Sequence, residues 1–251
     1  MFYLAMLVLG PVFYLQGLYV RRVTPVLAEP IGERSGQCGA GDPLSLLIVG
    51  DSAAAGVGVN HQEDALLGCL VKGLGDAHSV TWKLLANSGD TSAQLLKRLD
   101  EAESEEWGTV VVSIGVNDVT ALTSQSRWLA NLEAIVKTLR HRFGAQRVYL
   151  SSVPPMHEFP ALPQPLRWWL GLRASQLNKK MRQLAIRSSG CEFVQVPYVS
   201  DNRYIAADGF HPGANAYQLW GMHMTGLIKD QQSNRSATEW IKQEKHDSTQ
   251  R

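Results

Sequence analysis

The chain has 251 residues and a nearly balanced charge, with 24 lysines and arginines against 23 aspartates and glutamates. Its 45% hydrophobic and 19% charged composition excludes a disordered chain, a collagen and a long coiled coil. A net charge of +1 gives no electrostatic reason to expect a nucleic-acid partner, which requires a basic excess or stripe. The three cysteines include no Cys-x-x-Cys pair and are too few for a disulfide scaffold. The length suits one large α/β domain or two small ones.

The amino terminus is unusually apolar. Residues 1–20 carry no charged side chain, and Arg21 and Arg22 follow at once. Twenty helical residues span ~30 Å, about the thickness of a bilayer's hydrocarbon core. Residues 1–22 are therefore expected to form an apolar helix that contacts a membrane through residues 1–20 or packs on the protein. Basic residues after the run favour a cytoplasmic location for the rest of the chain. The alternatives are a soluble cytoplasmic protein and an exported one with a cleaved signal, although no basic residue precedes the run.

The remaining chain divides into three parts. Residues 23–43 are rich in glycine, proline and charge without periodicity, which is typical of a linker. Residues 44–229 are expected to form the folded domain, and residues 230–251 a polar tail that frays. Short runs rich in valine, isoleucine and leucine predict buried strands at 44–49, 80–86, 109–114, 147–153 and 192–197. Helical patterns fall near 62–74, 92–104, 126–142, 173–188 and 213–229.

The alternation of these segments predicts the architecture. Five strands interleaved with helices indicate an α/β fold, in which helices cover both faces of a five-stranded parallel sheet through right-handed crossovers. Sheets of this kind place their active residues just past the carboxyl ends of the strands. The residues at those positions are therefore the first candidates for a site.

Small and polar residues follow the first three predicted strands. Ser52 comes after Gly50 at a sharp turn that leaves its hydroxyl accessible, although a serine that caps a helix would look the same. Gly89 follows the second strand, where a residue without a side chain exposes its backbone N–H to a ligand. The alternative is that Gly89 belongs to a turn before a capped helix. Asn117 follows the third strand, where its side-chain amide either points into a crevice or closes an Asx turn.

An aspartate and a histidine stand directly before the last predicted helix. Asp208 and His211 are three residues apart, so the carboxylate can hold the imidazole Nδ1–H and leave Nε2 facing outward. The alternative is an ordinary surface loop. The other six histidines lack metal-ligand spacing, and no strand leads into a Walker A or complete Gly-x-Gly-x-x-Gly motif. Neither a metal nor a nucleotide cofactor is expected.

Taken in order, these blocks resemble the SGNH hydrolases, also called the GDSL esterase/lipase superfamily, over roughly residues 44–228. The matching blocks are Gly50-Asp51-Ser52, Gly89, Gly115-x-Asn117-Asp118 and Asp208-x-x-His211. Ala53 departs from the family pattern, which has leucine there, at a position without a chemical role.

The resemblance implies a flavodoxin-like three-layer sandwich and an acyl-ester hydrolase that works without a cofactor. It makes Ser52 the nucleophile, His211 the general base and then acid, and Asp208 the carboxylate that orients the imidazole. It also implies an oxyanion hole built from the Ser52 and Gly89 N–H groups and the Asn117 side-chain amide. The small-molecule substrate is then an acyl ester.

Two other functions stay open beside this one. Family members with similar motifs remove or move acetyl groups on sugars, which makes a carbohydrate deacetylase or acyltransferase the second candidate. A non-catalytic, membrane-tethered binding domain that retains the fold is the third.

A long proline-containing segment at residues 154–170 follows the fourth strand and is placed to border the crevice. An apolar wall there would receive an acyl chain, or its aromatic side chains would pack on the core instead. The residues expected to contact substrate are Phe159, Leu162, Leu166, Trp168 and Trp169.

Overall fold

A computed structural model describes residues 2–249 of the chain and the side chains of residues 9–232. The helices are α1 (Phe2–Val23), α2 (Ser52–Ala55), α3 (Leu66–Gly75), α4 (Ser92–Glu101), α5 (Val116–Thr120), α6 (Gln125–Arg142), α7 (Leu166–Arg187) and α8 (Ala214–Thr249). The strands are β1 (Ser35–Cys38), β2 (Asp42–Gly50), β3 (His78–Ala86), β4 (Thr109–Ser113), β5 (Arg147–Ser151) and β6 (Cys191–Val194).

The strands form one sheet in the order β1-β3-β2-β4-β5-β6. β1 pairs antiparallel with β3, and every other neighbouring pair is parallel. The five parallel strands have the flavodoxin-like order, and with the covering helices they confirm the predicted α/β three-layer architecture. The chain changes direction across the sheet between β2 and β4. In doubly wound sheets the crevice at this point, outside the carboxyl ends of the strands, receives the ligand.

The central strand β2 shows why the apolar runs in the sequence are continuous. Leu47 and Val49 face the layer of α4, α6 and α7, whereas Leu46 and Ile48 face α3 and α8. All four side chains are fully buried. Successive side chains of a strand point to opposite faces, so a strand covered on both faces is apolar at every position.

The sequence predicted five strands and a linker without secondary structure at 23–43. The structure differs in one respect, because β1 adds a sixth strand. β1 lies inside that segment and pairs with β3 from Ser35 opposite Lys83 to Cys38 opposite Val80. Its sequence, Ser-Gly-Gln-Cys, has neither the alternation nor the β-branched residues that mark a strand. β1 lies at the sheet edge and is held there by backbone hydrogen bonds. Such pairing does not require particular side chains, so the sequence does not indicate this strand.

Two helices are longer than their sequence patterns indicate. α7 begins at Leu166 instead of near residue 173, and thus includes the end of the segment expected to be a loop. α8 continues to Thr249 through most of the segment 230–251 that was expected to fray. The side chains of α8 beyond Gln232, and the last two residues of the chain, lie outside the described part.

The amino-terminal helix α1 lies against α7. Phe13 is buried, and its ring stacks on that of Trp169 with centroids 4.9 Å apart. The Gln16 side-chain amide donates to the carbonyl oxygen of Gln164 at 2.6 Å and accepts from the Leu166 N–H at 3.0 Å. These contacts match the packed-helix alternative. Within the described residues, the structure contains no helix whose length and apolar character would let it cross a bilayer.

Candidate active site

The position of Ser52 follows from the way the central strand ends. Gly50 has a φ of +154°, and a Cβ at this residue would overlap the carbonyl oxygen of Ser113 on β4. The next residue, Asp51, donates its N–H to the same Ser113 oxygen at 3.0 Å, and its side-chain Oδ1 accepts the Ala53 N–H at 3.1 Å. Ser52 is thereby the first residue of α2, where backbone N–H groups have no acceptor within the helix. Its hydroxyl stands at the crevice between β2 and β4.

His211 joins Ser52 to Asp208. The His211 Nε2 atom lies 2.8 Å from the Ser52 Oγ, and Nδ1 lies 2.6 Å from the Asp208 Oδ2. The Asp208 side chain is buried, while the imidazole is partly exposed. The structure thus brings together the three residues that the sequence predicted as catalytic, although Ser52 and His211 are 159 positions apart.

The turn before α8 fixes the imidazole by backbone hydrogen bonds. The second oxygen of Asp208 accepts the N–H groups of Phe210 and His211 at 2.9 and 3.0 Å. Burial by itself would raise the pKa of the Asp208 carboxyl. The hydrogen bonds from the His211 ring and from the two backbone amides outweigh it and hold this pKa below its ordinary value. Asp208 is therefore a carboxylate that can orient the imidazole and stabilise its protonated form.

Two predicted oxyanion donors, Gly89 and Asn117, line one groove with Ser52 and His211. Gly89 has a φ of +86°, and no atom lies within 4 Å of the place a Cβ would occupy, so ligand can approach its backbone closely. The Asn117 Nδ2 donates to the Asp90 carbonyl oxygen at 2.9 Å. A side-chain amide carries two hydrogens, so this bond fixes the group and leaves a second hydrogen for a ligand.

A buried network holds the two donor loops together. The Asp118 carboxylate accepts the Ser92 N–H at 2.8 Å and the Ser92 hydroxyl at 2.7 Å. The Asn131 side chain donates to the same Ser92 oxygen at 2.8 Å. Since Ser92 begins α4, just after Gly89, and Asp118 follows Asn117 on α5, the network fixes the separation of the two donors. Burial raises the pKa of Asp118, and the Ser92 hydrogen bonds act against this rise.

Sequence reasoning missed Glu29, which supports the Gly89 loop from outside the parallel sheet. One Glu29 oxygen accepts both the N–H and the hydroxyl of Ser88, at 2.9 and 2.7 Å. The other oxygen pairs with Arg34 at 2.8 Å, and Arg34 also donates to the Ala86 carbonyl oxygen. Burial by itself would raise the pKa of Glu29. The hydrogen bonds from Ser88 and Arg34 outweigh burial and lower this pKa. Glu29 lies in the aperiodic segment 23–43, where no sequence signal marks it.

Ser52 and His211 line two cavities, one on each side of the pair. The smaller, of about 80 Å³, is lined by apolar side chains that include Phe159, one of the five predicted substrate contacts. The larger is a groove of about 810 Å³ between α1 and the site.

The other predicted substrate contacts divide between this groove and the surface. Leu162, Leu166 and Trp169 line the groove, whereas Trp168 is 37% exposed and lines neither cavity. Trp168 lies about 100° around α7 from Trp169, and its side chain is exposed on the outer side of the helix. The expectation that Trp168 contacts substrate receives no support from this placement.

Comparison with known proteins finds relatives of the part of the chain that holds the candidate site. The model of the GDSL-like Lipase/Acylhydrolase family matches residues 48–219, which include every candidate catalytic and oxyanion residue. The GDSL-like esterase Rv1075c of Mycobacterium tuberculosis is 29% identical over 187 residues, or 70% of this chain. The chain spans 59% of that relative's length.

Solved structures share the fold at lower identity. The esterase EstA from Pseudoalteromonas sp., inhibited by monoethylphosphonate, has a TM-score of 0.55 and 19% identity, covering 75% of this chain and 98% of its own. An active-site mutant of a family two carbohydrate esterase from Clostridium thermocellum has a TM-score of 0.58 and 15% identity. That match covers 76% of this chain and 64% of the other.

Proposed function

Because the chain belongs to the GDSL-like lipase/acylhydrolase family, we propose that it is a serine esterase that hydrolyses carboxylic esters through an acyl-enzyme. The observation that carries this proposal is the continuous hydrogen-bonded path from the Ser52 Oγ to His211 and on to Asp208, with steps of 2.8 and 2.6 Å. A serine hydroxyl is a weak nucleophile, and a base in contact with it is what makes attack feasible near neutral pH.

In the first half-reaction the Ser52 oxygen attacks the ester carbonyl carbon while the His211 Nε2 takes the hydroxyl proton. The carbonyl oxygen becomes an oxyanion. When the tetrahedral intermediate collapses, the bond to the alcohol oxygen breaks and the protonated imidazole gives its proton to that oxygen. The products are the free alcohol and an ester between the acyl group and Ser52.

In the second half-reaction water replaces the alcohol. His211 removes a proton from the water as it attacks the acyl-enzyme, and then returns that proton to the Ser52 oxygen as the acid leaves. Asp208 keeps the imidazole in the tautomer whose Nε2 lacks a proton before each attack. This role follows from its 2.6 Å bond to Nδ1.

The oxyanion is stabilised by three donors in this proposal. The Ser52 and Gly89 N–H groups and the free hydrogen of the Asn117 amide are held by the protein before substrate arrives. They would interact more strongly with a full negative charge than with the neutral ester oxygen. Fixed donors of this kind account for a large share of catalysis in acyl transfer.

The direct test is labelling and turnover by the full chain and its Ser52→Ala variant. We expect the wild-type protein to release p-nitrophenol from p-nitrophenyl acetate and to incorporate about one equivalent of an organophosphate at Ser52. The variant should do neither while unfolding at the same temperature. Stoichiometric labelling of the variant would contradict the assignment of the nucleophile, and a folded wild type that lacks both properties would indicate a non-catalytic binding domain.

The second candidate, a carbohydrate deacetylase or acyltransferase, rests on the likeness to the family two carbohydrate esterase. Its chemistry would use the same Ser52 acyl-enzyme, with an acetylated sugar as donor and water or a second hydroxyl as acceptor. Acetate release from acetylated xylose or glucosamine, compared with simple alkyl acetates at equal concentration, separates the two. Preference for the sugars would favour the second candidate.

A further inference from the structure

The amino-terminal helix α1 forms one side of the groove beside the site. Residues of α1 from Gly10 to Arg21 line it, a stretch of about 16 Å along the helix axis. Its opposite side carries Ser52, Gly89, Asn117 and His211, so the groove is continuous with the reacting centre. Its volume of about 810 Å³ lies within the range of ~300–1,000 Å³ found for small-molecule sites.

The chemistry of the walls favours an aliphatic ligand. Apolar side chains from α1, α7 and the neighbouring loops dominate, and they include Leu18, Leu122, Leu162, Leu166, Trp169 and Leu170. Among the described side chains that line the groove, Arg21 is the one permanent charge outside the proposed triad. A sugar would find few hydrogen-bonding partners along such walls. Each methylene group of an aliphatic chain would instead be buried away from water, which is favourable.

The geometry of the reaction indicates which part of an ester enters the groove. The alcohol oxygen must lie at the His211 Nε2 to receive its proton, and the carbonyl oxygen must lie between Gly89 and Asn117. Both Gly89 and Asn117 line the groove, and neither lines the smaller cavity on the Phe159 side of the Ser52–His211 pair. The carbonyl group, and the acyl chain attached to it, therefore lie on the groove side of the Ser52–His211 pair.

Two glycines of α1 face this space. Gly10 and Gly17 both line the groove, seven residues and therefore about two turns apart. No atom lies within 4 Å of the position of a Cβ at either residue, so close packing does not require glycine there. Glycine also weakens a helix relative to other residues. The missing side chains widen the groove on the α1 side.

We infer that the groove between α1 and the catalytic face is the acyl-chain site, and that the enzyme is therefore selective for esters of medium-length and long fatty acids. This inference rests on the proposed esterase function and adds to it the substrate class and the role of α1. The amino-terminal helix forms a wall of the substrate site, and the glycines at 10 and 17 set its width.

The test compares p-nitrophenyl acetate with p-nitrophenyl decanoate, kept below the concentration at which it aggregates. Burial of one methylene is worth about fourfold in binding, so partial seating of the eight extra methylenes should raise kcat/KM for the decanoate by more than about tenfold. Gly17→Leu should lower kcat/KM for the decanoate by a much larger factor than kcat/KM for the acetate, and so remove most of this preference. Gly226→Leu is the matched control, because Gly226 is an exposed α8 glycine with no atom near its Cβ position. It should change neither rate.

Two further measurements keep the inference falsifiable. If Gly17→Leu unfolds at a lower temperature than wild type, Gly17→Ala adds only a methyl group and should still reduce the decanoate rate selectively. Decyl acetate places the long chain on the alcohol instead, and should show no gain over ethyl acetate. A gain with decyl acetate, or equal effects of Gly17→Leu on both p-nitrophenyl esters, would overturn the inference.

The failure of this inference is distinguishable from failure of the esterase function itself. Equal hydrolysis of acetate and decanoate by a protein that is labelled at Ser52 would overturn the acyl-chain site alone. Absence of both hydrolysis and labelling would overturn the esterase function.

Discussion

Glu29 and Ser88 are joined by two hydrogen bonds to one carboxylate oxygen, at 2.9 Å from the Ser88 N–H and at 2.7 Å from its hydroxyl. Ser88 directly precedes Gly89, whose N–H is a proposed oxyanion donor. Glu29 touches neither Ser52 nor His211 by any described hydrogen bond, so it acts as a positioning residue. A segment without periodicity in the sequence thus holds part of the proposed catalytic apparatus.

Replacing Glu29 should lower turnover without weakening substrate binding. We expect Glu29→Ala to reduce kcat by about tenfold with little change in KM, because a small displacement of a donor costs most in the transition state. Steady-state kinetics with a short-chain ester measure both parameters. Glu33→Ala removes an exposed carboxylate from the same segment and should leave both unchanged. A rise in KM at constant kcat would contradict the positioning role.

Loss of the Asn117 amide should be more damaging than loss of Glu29. Asn117→Ala removes a proposed oxyanion donor, and we expect kcat to fall by about 10²–10³ while the protein stays folded. The change also removes the 2.9 Å bond to the Asp90 carbonyl oxygen, so a thermal unfolding curve must accompany the kinetics. Normal turnover in a folded Asn117→Ala protein would exclude this residue from the oxyanion hole.

The two residues proposed to activate Ser52 should differ in their effects. His211→Ala removes the proposed proton carrier, and by analogy with other triads kcat should fall by about 10⁶, against about 10⁴ for Asp208→Asn. The amide oxygen that this second variant introduces can still accept the backbone N–H groups of Phe210 and His211, so the turn should persist.

Single-turnover kinetics with an activated ester distinguish the two variants. Asp230→Asn, at an exposed position of α8, is the control for loss of a carboxylate and should be as active as wild type. A larger loss in Asp208→Asn than in His211→Ala would contradict the assigned roles.

Asp51 should make stability depend on pH. Its carboxyl is buried beneath the site, and desolvation raises its pKa from 3.8 to about 7 although the Ala53 N–H and the nearby His211 act in the opposite direction. The folded protein then binds more protons than the unfolded chain between about pH 4 and pH 7. The free energy of unfolding therefore falls as the pH rises through this window, and the contribution of neutral Asp51 is lost above it.

Asp51→Asn should remove this dependence, since an amide can cap α2 without ionising. Relative to wild type, the variant should gain about 2–3 kcal/mol in unfolding free energy between pH 5 and pH 8. Urea unfolding at the two pH values measures the difference. Asp42→Asn, at an exposed carboxyl, should show no such gain. The absence of any gain would mean that Asp51 is ionised in the folded protein throughout this range.

The parts of the fold that could be predicted are those whose burial requires a recognisable pattern of apolar side chains. β2 is buried on both faces, so Leu46 to Val49 form a continuous apolar run that is visible in the sequence. β1 was missed because an edge strand of four residues pairs through its backbone. The early start of α7 was missed because prolines at 163 and 165 suggest a loop up to the residue where the helix begins.

The candidate site was predictable for a different reason. Parallel strands carry their carboxyl ends to one edge, so residues after separate strands meet there whatever their distance along the chain. Ser52, Gly89 and Asn117 could be placed on this basis, and Asp208 with His211 by their spacing. Glu29 and the groove wall on α1 depend on how segments outside the parallel sheet pack against it, and no local pattern specifies that packing.

The four-residue edge strand β1 has a consequence for the whole molecule. Strand β3 is nine residues long, and without β1 its outer side would present unpaired N–H and C=O groups to neighbouring molecules. The short, polar strand covers the middle of that side, from Val80 to Lys83, and offers little to a further strand. Loss of β1 would therefore expose an edge of the sheet to which a strand of a neighbouring molecule can pair.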